Sequence, residues 1–269
     1  MKMKLPVRIF SDLHLGHKAS RIVDVEALRP LFRGAGTVVL NGDTWEELSA
    51  GWRDSSAAML GGMQRVLSEE GCEVVFLPGN HDPGWPGCGW LELAGGKIVV
   101  SHGDALLWGG APWKREVRAG RGEIERMWAE FPEAGWDGAA RHELARRVAR
   151  RFSNTTHCKG RSRFARLLDA AFPPSRLWEM VKAWAGQGRL AGEFCERYFP
   201  AAELIVYGHF HCAGVRKVGA RTALNLGSFV VPGRAMWAEW DGVNLKYGNV
   251  FEKSEDWGLG GAEEGWKFN

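Results

Sequence analysis

The sequence predicts an α/β fold, and two observations predict it. Over residues 7–100, short β-rich runs alternate with stretches of helical spacing, the pattern of βαβ units and so of mostly parallel strands. Metal-loving residues end those apolar runs one after another, and strand ends are where an open α/β sheet carries its chemistry.

Taken in order, Val7-Arg8-Ile9-Phe10, Thr37-Val38-Val39-Leu40, Val74-Val75-Phe76-Leu77 and Lys97-Ile98-Val99-Val100 read as strands, three of them buried on both faces. Between them, Val23 to Phe32 and Ser55 to Glu70 carry helical spacing. From Trp113 to Phe199 the strand signal vanishes. Glu123 to Phe131, Gly138 to Phe152, Arg163 to Phe172 and Ser175 to Ala185 are predicted helices, broken at Pro132 and at Pro173-Pro174. Strands resume at Glu203 to Tyr207 and Thr222 to Leu226. Met236 to Trp240 and Val243 to Tyr247 then flank the hairpin signal Asp241-Gly242. The last residues, including Gly258-Leu259-Gly260-Gly261, read as a loose tail.

At 269 residues the chain is long for one domain and short for two, so a single domain over 1–269 with a helical cap insertion at about 113–200 is expected. Apolar content of 45% with 25% charged residues is that of a soluble globular protein, and no apolar run reaches the length of a membrane span. The opening Met1-Lys2-Met3-Lys4-Leu5-Pro6 lacks a signal-peptide core. Cys72, Cys88, Cys158, Cys195 and Cys212 are odd in number and show no C-x-x-C spacing, which predicts reduced thiols and a cytoplasmic location.

The net charge of +3 hides an asymmetry: Trp113 to Pro200 holds 18 Lys/Arg against 11 Asp/Glu, a local excess of +7. Arg146, Arg147, Arg150 and Arg151 lie in its densest part and are the candidate substrate-binding residues. Such a surface either is a solvated helix face or attracts a phosphorylated substrate, an anionic membrane surface at the inner face of a membrane, or nucleic acid.

Five short segments concentrate the ligand chemistry: S-D-L-H at Ser11 to His14, N-G-D at Asn41 to Asp43, G-N-H-D at Gly79 to Asp82, S-H-G-D at Ser101 to Asp104, and G-H-F-H at Gly208 to His211, with Glu46 trailing the second. Asp, Asn and His together suit divalent first-row ions, and a carboxylate among imidazoles can bridge two of them. A lone D-x-H more often marks a turn with a satisfied histidine. Gly79 permits a tight turn that aims Asn80 and His81 into a common cavity, and G-H-F-H puts two imidazoles at i and i+2. Five such segments, each after a strand, point to two cations flanking one point in space, which is phosphate chemistry.

The ordered set resembles the calcineurin-like metallophosphoesterase superfamily in its D-x-H, G-D-x-x-[DE], G-N-H-[DE], H-G and G-H-x-H blocks, over roughly residues 7–110 and 203–250. The resemblance implies a four-layered α/β/β/α sandwich with a helical insertion, and a dinuclear centre at the strand ends. It implies one ion on Asp12, His14 and His211, another on Asn80, His102 and His209, and Asp43 bridging them. His81 resembles the family's non-ligand catalytic histidine, with Asp82 expected to hold it. A bridging hydroxide would attack phosphorus while His81 stabilises charge or protonates the leaving group. Mn²⁺ is the expected metal, with Fe or Zn alternatives, because the donor mix selects none of them.

The basic helical insertion is similar to that of UDP-2,3-diacylglucosamine pyrophosphatases of lipid A synthesis, where Arg150-Arg151-Phe152-Ser153-Asn154 and Lys159-Gly160-Arg161 resemble the cap. That subfamily carries Arg where this chain has His81, so the superfamily is the assignment. The expected activity is hydrolysis of a phosphoester or phosphoanhydride bond in a phosphorylated small molecule or a lipid-linked substrate. A nuclease is the rival enzyme, since Arg/Lys clusters with aromatics track a phosphate backbone. A metal-stabilised scaffold is the non-enzyme alternative, and its mark would be a missing ligand.

Overall fold

A computed structural model describes residues 3–152 and 174–268, so the helix expected at 163–172 and the cap residues Ser153, Asn154, Lys159 and Arg161 lie outside the described residues. Strands β1 (Val7–Phe10), β2 (Thr37–Asn41), β3 (Glu73–Leu77) and β5 (Ile98–Ser101) stand where the apolar runs predict them. β4 (Trp90–Leu93), β6 (Leu204–Tyr207), β7 (Gly214–Val218), β8 (Arg221–Asn225), β9 (Met236–Trp240), β10 (Asn244–Glu252), β11 (Trp257–Leu259) and β12 (Glu263–Lys267) complete the strands. The described helices are α1 (Arg29–Phe32), α2 (Arg53–Glu69), α3 (Arg115–Ala119), α4 (Arg121–Glu130), α5 (Gly138–Arg151) and α6 (Pro174–Tyr198).

Two sheets form. The larger has the order β11-β10-β9-β1-β2-β3, with β12 also on β10; the smaller is β4-β5-β6-β8-β7. β1–β2, β2–β3, β5–β6 and β6–β8 pair in parallel, and β9, β10, β11, β12, β4 and β7 are antiparallel additions. The sheets are therefore mixed rather than mostly parallel.

Alternation along each strand builds the layers. Val7, Ile9, Val39 and Leu77 of one sheet face Ile98, Val100, Leu204, Val206 and Leu224 of the other. Phe10, Val38 and Leu40 point the opposite way, onto Leu31, Phe32, Met63 and Val66 of α1 and α2. Val99, Ile205, Tyr207 and Ala223 turn outward onto Ala191, Phe194 and Cys195 of α6. This is the α/β/β/α sandwich that the resemblance implies, and α6, expected as part of a cap, supplies its fourth layer.

Several boundaries differ from the sequence reading. The helix expected from Val23 shrinks to a 3-10 turn (Glu26–Leu28) and one turn of α1, because Pro30 cannot donate back along a helix begun there. α6 runs past Ala185 to Tyr198, through glycines that resemble a terminus. Gly188 and Gly192 instead let α6 lie close on Arg216 and Val218 of β7. The expected loose tail is β11 and β12: a side chain at Gly265 would collide with the Leu245 backbone, so glycine composition here reflects close strand approach. No helix among the described residues is long and apolar enough to cross a membrane.

Candidate metal centre

The loops after β1, β2, β3, β5 and β6 meet at one edge of the sandwich. Of the six non-glycine residues with positive φ among the described residues, five are Asp12, His14, Asp43, His209 and His211. That backbone costs roughly 1–3 kcal/mol at each L-residue and persists only where the surroundings impose it. Hydrogen bonds do so here. Asp12 accepts from Ser11 Oγ at 2.5 Å and from the His209 N–H at 3.1 and 3.0 Å. Asp43 Oδ1 accepts from the His81 N–H at 2.7 Å, and Gly208 packs so closely on Ser11 and Asp12 that no Cβ fits.

One cluster comprises Asp12, His14 and His211. His211 Nε2 lies 3.1 Å from Asp12 Oδ1 and 3.4 Å from His14 Nε2. A second comprises Asp43, His102 and His209. Asp43 Oδ2 stands between them, 3.7 Å from His14 Nε2 and 3.4 Å from His102 Nε2. Nδ1 of His102 is 3.0 Å from the Asn41 carbonyl, to which it donates, leaving Nε2 for the cluster. His81 also comes within reach of His14 and Asp43.

The donor set fits divalent ions on an observation of its own. Nε2 of His102, Nε2 of His209 and Oδ1 of Asn80 are buried without a hydrogen-bond partner among the described residues; the two histidines belong to the second cluster, and Asn80 lines the same cavities as His209. Burial opposes ionisation of Asp43, yet the His102 and His81 imidazoles outweigh it and hold its carboxyl well below the usual range. Asp12 is lowered in the same way, chiefly by His102 against burial. Burial would lower His102, but Asp43 and Asp12 raise it well above the imidazole value. His209 goes the other way, pushed well below by burial and then by His102. The field of this site favours cations.

Two sequence readings change. Asp82 does not hold the His81 ring. Its fully buried carboxylate accepts from the N–H groups of Asp43 (2.8 Å), Thr44 (2.8 Å) and Gly79 (2.9 Å) and from Trp85 Nε1 (3.1 Å). Burial and then the Asp43 charge push its pKa up to about 8, even though the Thr44 and Trp85 donors favour the carboxylate. Asp82 therefore ties the G-N-H-D turn to the N-G-D loop. Glu46 is the residue at the ring: Oε2 lies 2.8 Å from His81 Nδ1, and Oε1 lies 2.8 Å from His14 Nδ1. Its signal was the final acid of G-D-x-x-E, visible in the sequence but without a partner there.

The arginine quartet is the other correction: none lines either cavity beside the clusters. Arg146 and Arg150 donate to the Gly87 and Pro83 carbonyls, at 2.6 and 3.1 Å, and so fasten α5 to the loop after G-N-H-D. Arg147 pairs with Glu143 and Arg151 with Glu123, both half exposed. Helical spacing turns these side chains to the loop and to solvent, a direction that charge counting does not carry.

Over the clusters lies a cleft of about 490 Å³ floored by Asp43, Asn80, His81, His209 and His211. Its walls are apolar: Trp113, Met180 and Trp184 on one side, Phe210 at the base, and Val230 to Gly233 opposite. The Trp113 ring is 5.1 Å from that of His209. Gln187 anchors this wall. Fully buried on α6, it donates to the Trp184 carbonyl (2.9 Å) and accepts from Asn225 Nδ2 (2.8 Å) and Tyr207 OH (3.1 Å). Asn225 in turn donates to the Gly208 carbonyl at 2.9 Å, so the cleft wall and the G-H-F-H loop share one hydrogen-bond chain.

A family model described as calcineurin-like phosphoesterase matches residues 5–213, running through the helical segment. Among solved structures, the chain is similar to a dimetal phosphatase from Danio rerio, at 11% identity over 100% of both chains with a TM-score of 0.49. It is also similar to Yfce, a phosphoesterase from E. coli, at 15% identity over 98% of this chain and 100% of that one, TM-score 0.43. A third is Vacuolar Protein Sorting 29 from Cryptosporidium parvum, at 13% identity over 99% of this chain and 100% of that one, TM-score 0.42. Among curated proteins none matches.

Proposed function

The chain belongs to the calcineurin-like phosphoesterase family, and from that premise we propose that it is a metal-dependent hydrolase of phosphoester or phosphoanhydride bonds. The single observation that carries the reading is Asp43 Oδ2, standing 3.7 and 3.4 Å from the facing imidazoles of two adjacent clusters. Asp12, His14 and His211 would hold one divalent ion, and Asn80, His102 and His209 the other, with Asp43 shared. Bound there, a cation pair would acidify water and neutralise phosphate oxygens. Mn²⁺ is the first ion to test, and the same donors accept Fe or Zn.

The protein's own residues supply the rest. Glu46 fixes Nδ1 of His81, leaving Nε2 on the cleft side, where it can donate a proton to a leaving oxygen. Glu46 likewise fixes His14 with Nε2 toward the cluster. Asp82 and Gln187 hold the two loops on which the clusters depend.

The apolar walls favour a substrate whose phosphate carries an amphiphilic or nucleotide-bearing group over a small monoester. A UDP-linked lipid is the first candidate of that kind, and Leu177, Trp178 and Val181, exposed on α6 near the cleft, fit contact with a membrane surface. The test is a panel with added Mn²⁺: a chromogenic bis-ester, a UDP-linked lipid, single-stranded DNA and a phosphopeptide. The reading expects metal-dependent turnover with preference for the UDP-linked lipid. No turnover of any member by fully metal-loaded protein would end it.

A further inference from the structure

A narrow slot adjoins the cleft on the side of the second cluster and runs beneath α5. Asn80 and His209 line the slot together with the charged residues Lys114, Arg141 and Asp104. Arg141 is only 2% exposed, yet its guanidinium is not fully used: Nη2 donates to the Leu107 carbonyl at 2.9 Å, and Nε has no partner among the described residues. The rings of Trp108 and Trp128, 5.3 and 5.0 Å from it, hold the group in place without satisfying its donors. Lys114 has no hydrogen bond or ion pair from its amine among the described residues.

Two cations and the Asp104 carboxylate thus line a largely apolar slot, and the charges of Asp43, Glu46 and Glu116 also act on Lys114. Burial lowers the pKa of both cations, Arg141 to about 10. A buried donor without an acceptor is costly, and Nε of Arg141 is such a donor among the described residues. The free space is small, about 30 Å³.

We propose that Lys114 and Arg141 form an anion subsite that takes a second oxyanion of the substrate, next to the phosphate held at the metal cluster. One slot is lined both by Asn80 and His209, whose Oδ1 and Nε2 are buried without a partner among the described residues, and by the two cations. Low-dielectric walls strengthen the attraction over what a surface lysine offers. Substrates with one isolated phosphate leave the subsite empty, and those with two neighbouring oxyanions fill it. The proposal rests on the hydrolase reading for the word substrate, and its test does not need turnover.

The test is calorimetric titration of metal-loaded full-length protein with methylphosphonate and with methylenediphosphonate, which differ by one phosphonate. Lys114→Gln is compared with wild type and with Lys114→Arg, each checked for metal content and thermal melting. Methylenediphosphonate should bind Lys114→Gln on the order of 10-fold or more weaker, with methylphosphonate changed less than about 3-fold and Lys114→Arg near wild type. Equal losses for both probes, or none for either, would overturn the subsite. Inorganic phosphate, run alongside, should behave like methylphosphonate; a Lys114-dependent loss for phosphate alone would assign the slot to product and also overturn the proposal. A protein that hydrolyses no panel member but keeps the Lys114-dependent diphosphonate preference loses the hydrolase reading and retains the subsite.

Discussion

Glu46 Oε2 lies 2.8 Å from His81 Nδ1, while the other oxygen of the same carboxylate lies 2.8 Å from His14 Nδ1. One side chain therefore sets the tautomer of an imidazole in the first cluster and of the imidazole assigned to the leaving group. The paired histidines hold the Glu46 carboxyl far below its usual range although burial opposes them. Glu46→Gln offers one acceptor where two are needed, so one imidazole must turn or switch tautomer. Metal affinity and kcat should both fall, on the order of 10- to 100-fold, as read by metal titration and by initial rates at saturating metal. Loss of kcat with unchanged metal affinity would confine Glu46 to His81.

Asp82→Asn tests the reassignment of that residue. The amide places a donor against one of four N–H groups, which costs about 1–3 kcal/mol. The melting temperature should drop, while kcat of the metal-saturated variant stays within about 3-fold. A loss of kcat near 100-fold at an unchanged melting temperature would restore the catalytic role that adjacency to His81 suggested.

Gln187→Leu removes the acceptor shared by Asn225 and Tyr207. A residue serving only the packing of α6 would lower stability and leave the metal site alone. The chain through Asn225 to the Gly208 carbonyl predicts instead that metal affinity weakens roughly 10-fold along with stability, and that Gln187→Glu, which keeps the acceptor oxygen, retains most of it. Isothermal titration with Mn²⁺ beside thermal melts separates the two outcomes.

His142, outside the clusters, should make stability depend on pH. It donates from Nδ1 to the Gly138 carbonyl (2.7 Å), and its Nε2 is 2.9 Å from Ser101 Oγ, an arrangement of a neutral ring. Burial lowers its pKa from 6.5 to about 4. Protons then favour the unfolded chain, so the contribution is complete above pH 6.5 and is lost as pH falls toward 4, up to about 3 kcal/mol. Denaturant unfolding of metal-free protein at pH 7 and pH 4 should show that loss, and His142→Gln should reduce it. Equal pH dependence in both proteins would exclude His142.

Much of this architecture was legible in the chain. β1, β2, β3 and β5 are apolar runs of β-branched residues, and each ligand motif follows a strand because the parallel units end at one edge. β4 was not legible, since Trp90-Leu91-Glu92-Leu93 is too short for alternation to separate from a loop. β11 and β12 were hidden by glycines whose bare faces serve strand approach. At the site, residue type identified the cluster members, but direction was invisible. Asp82 next to His81 faces the backbone of Asp43, Glu46 reaches back across 35 positions to His81, and Arg146 and Arg150 bond the 83–89 loop. Pairings of that kind depend on the folded path and on the positive-φ turns at Asp12, His14 and Asp43, where no glycine announces them.

If two cations share Asp43, a metal count on three proteins will show it. Wild type, Asp43→Asn and His81→Ala are reconstituted with Mn²⁺, freed of excess and measured by elemental analysis. Wild type should hold two ions per chain, Asp43→Asn should show a clear loss, and His81→Ala should retain two ions with activity down on the order of 100-fold. Fewer than one ion per wild-type chain, or loss of an ion from His81→Ala, would contradict this arrangement.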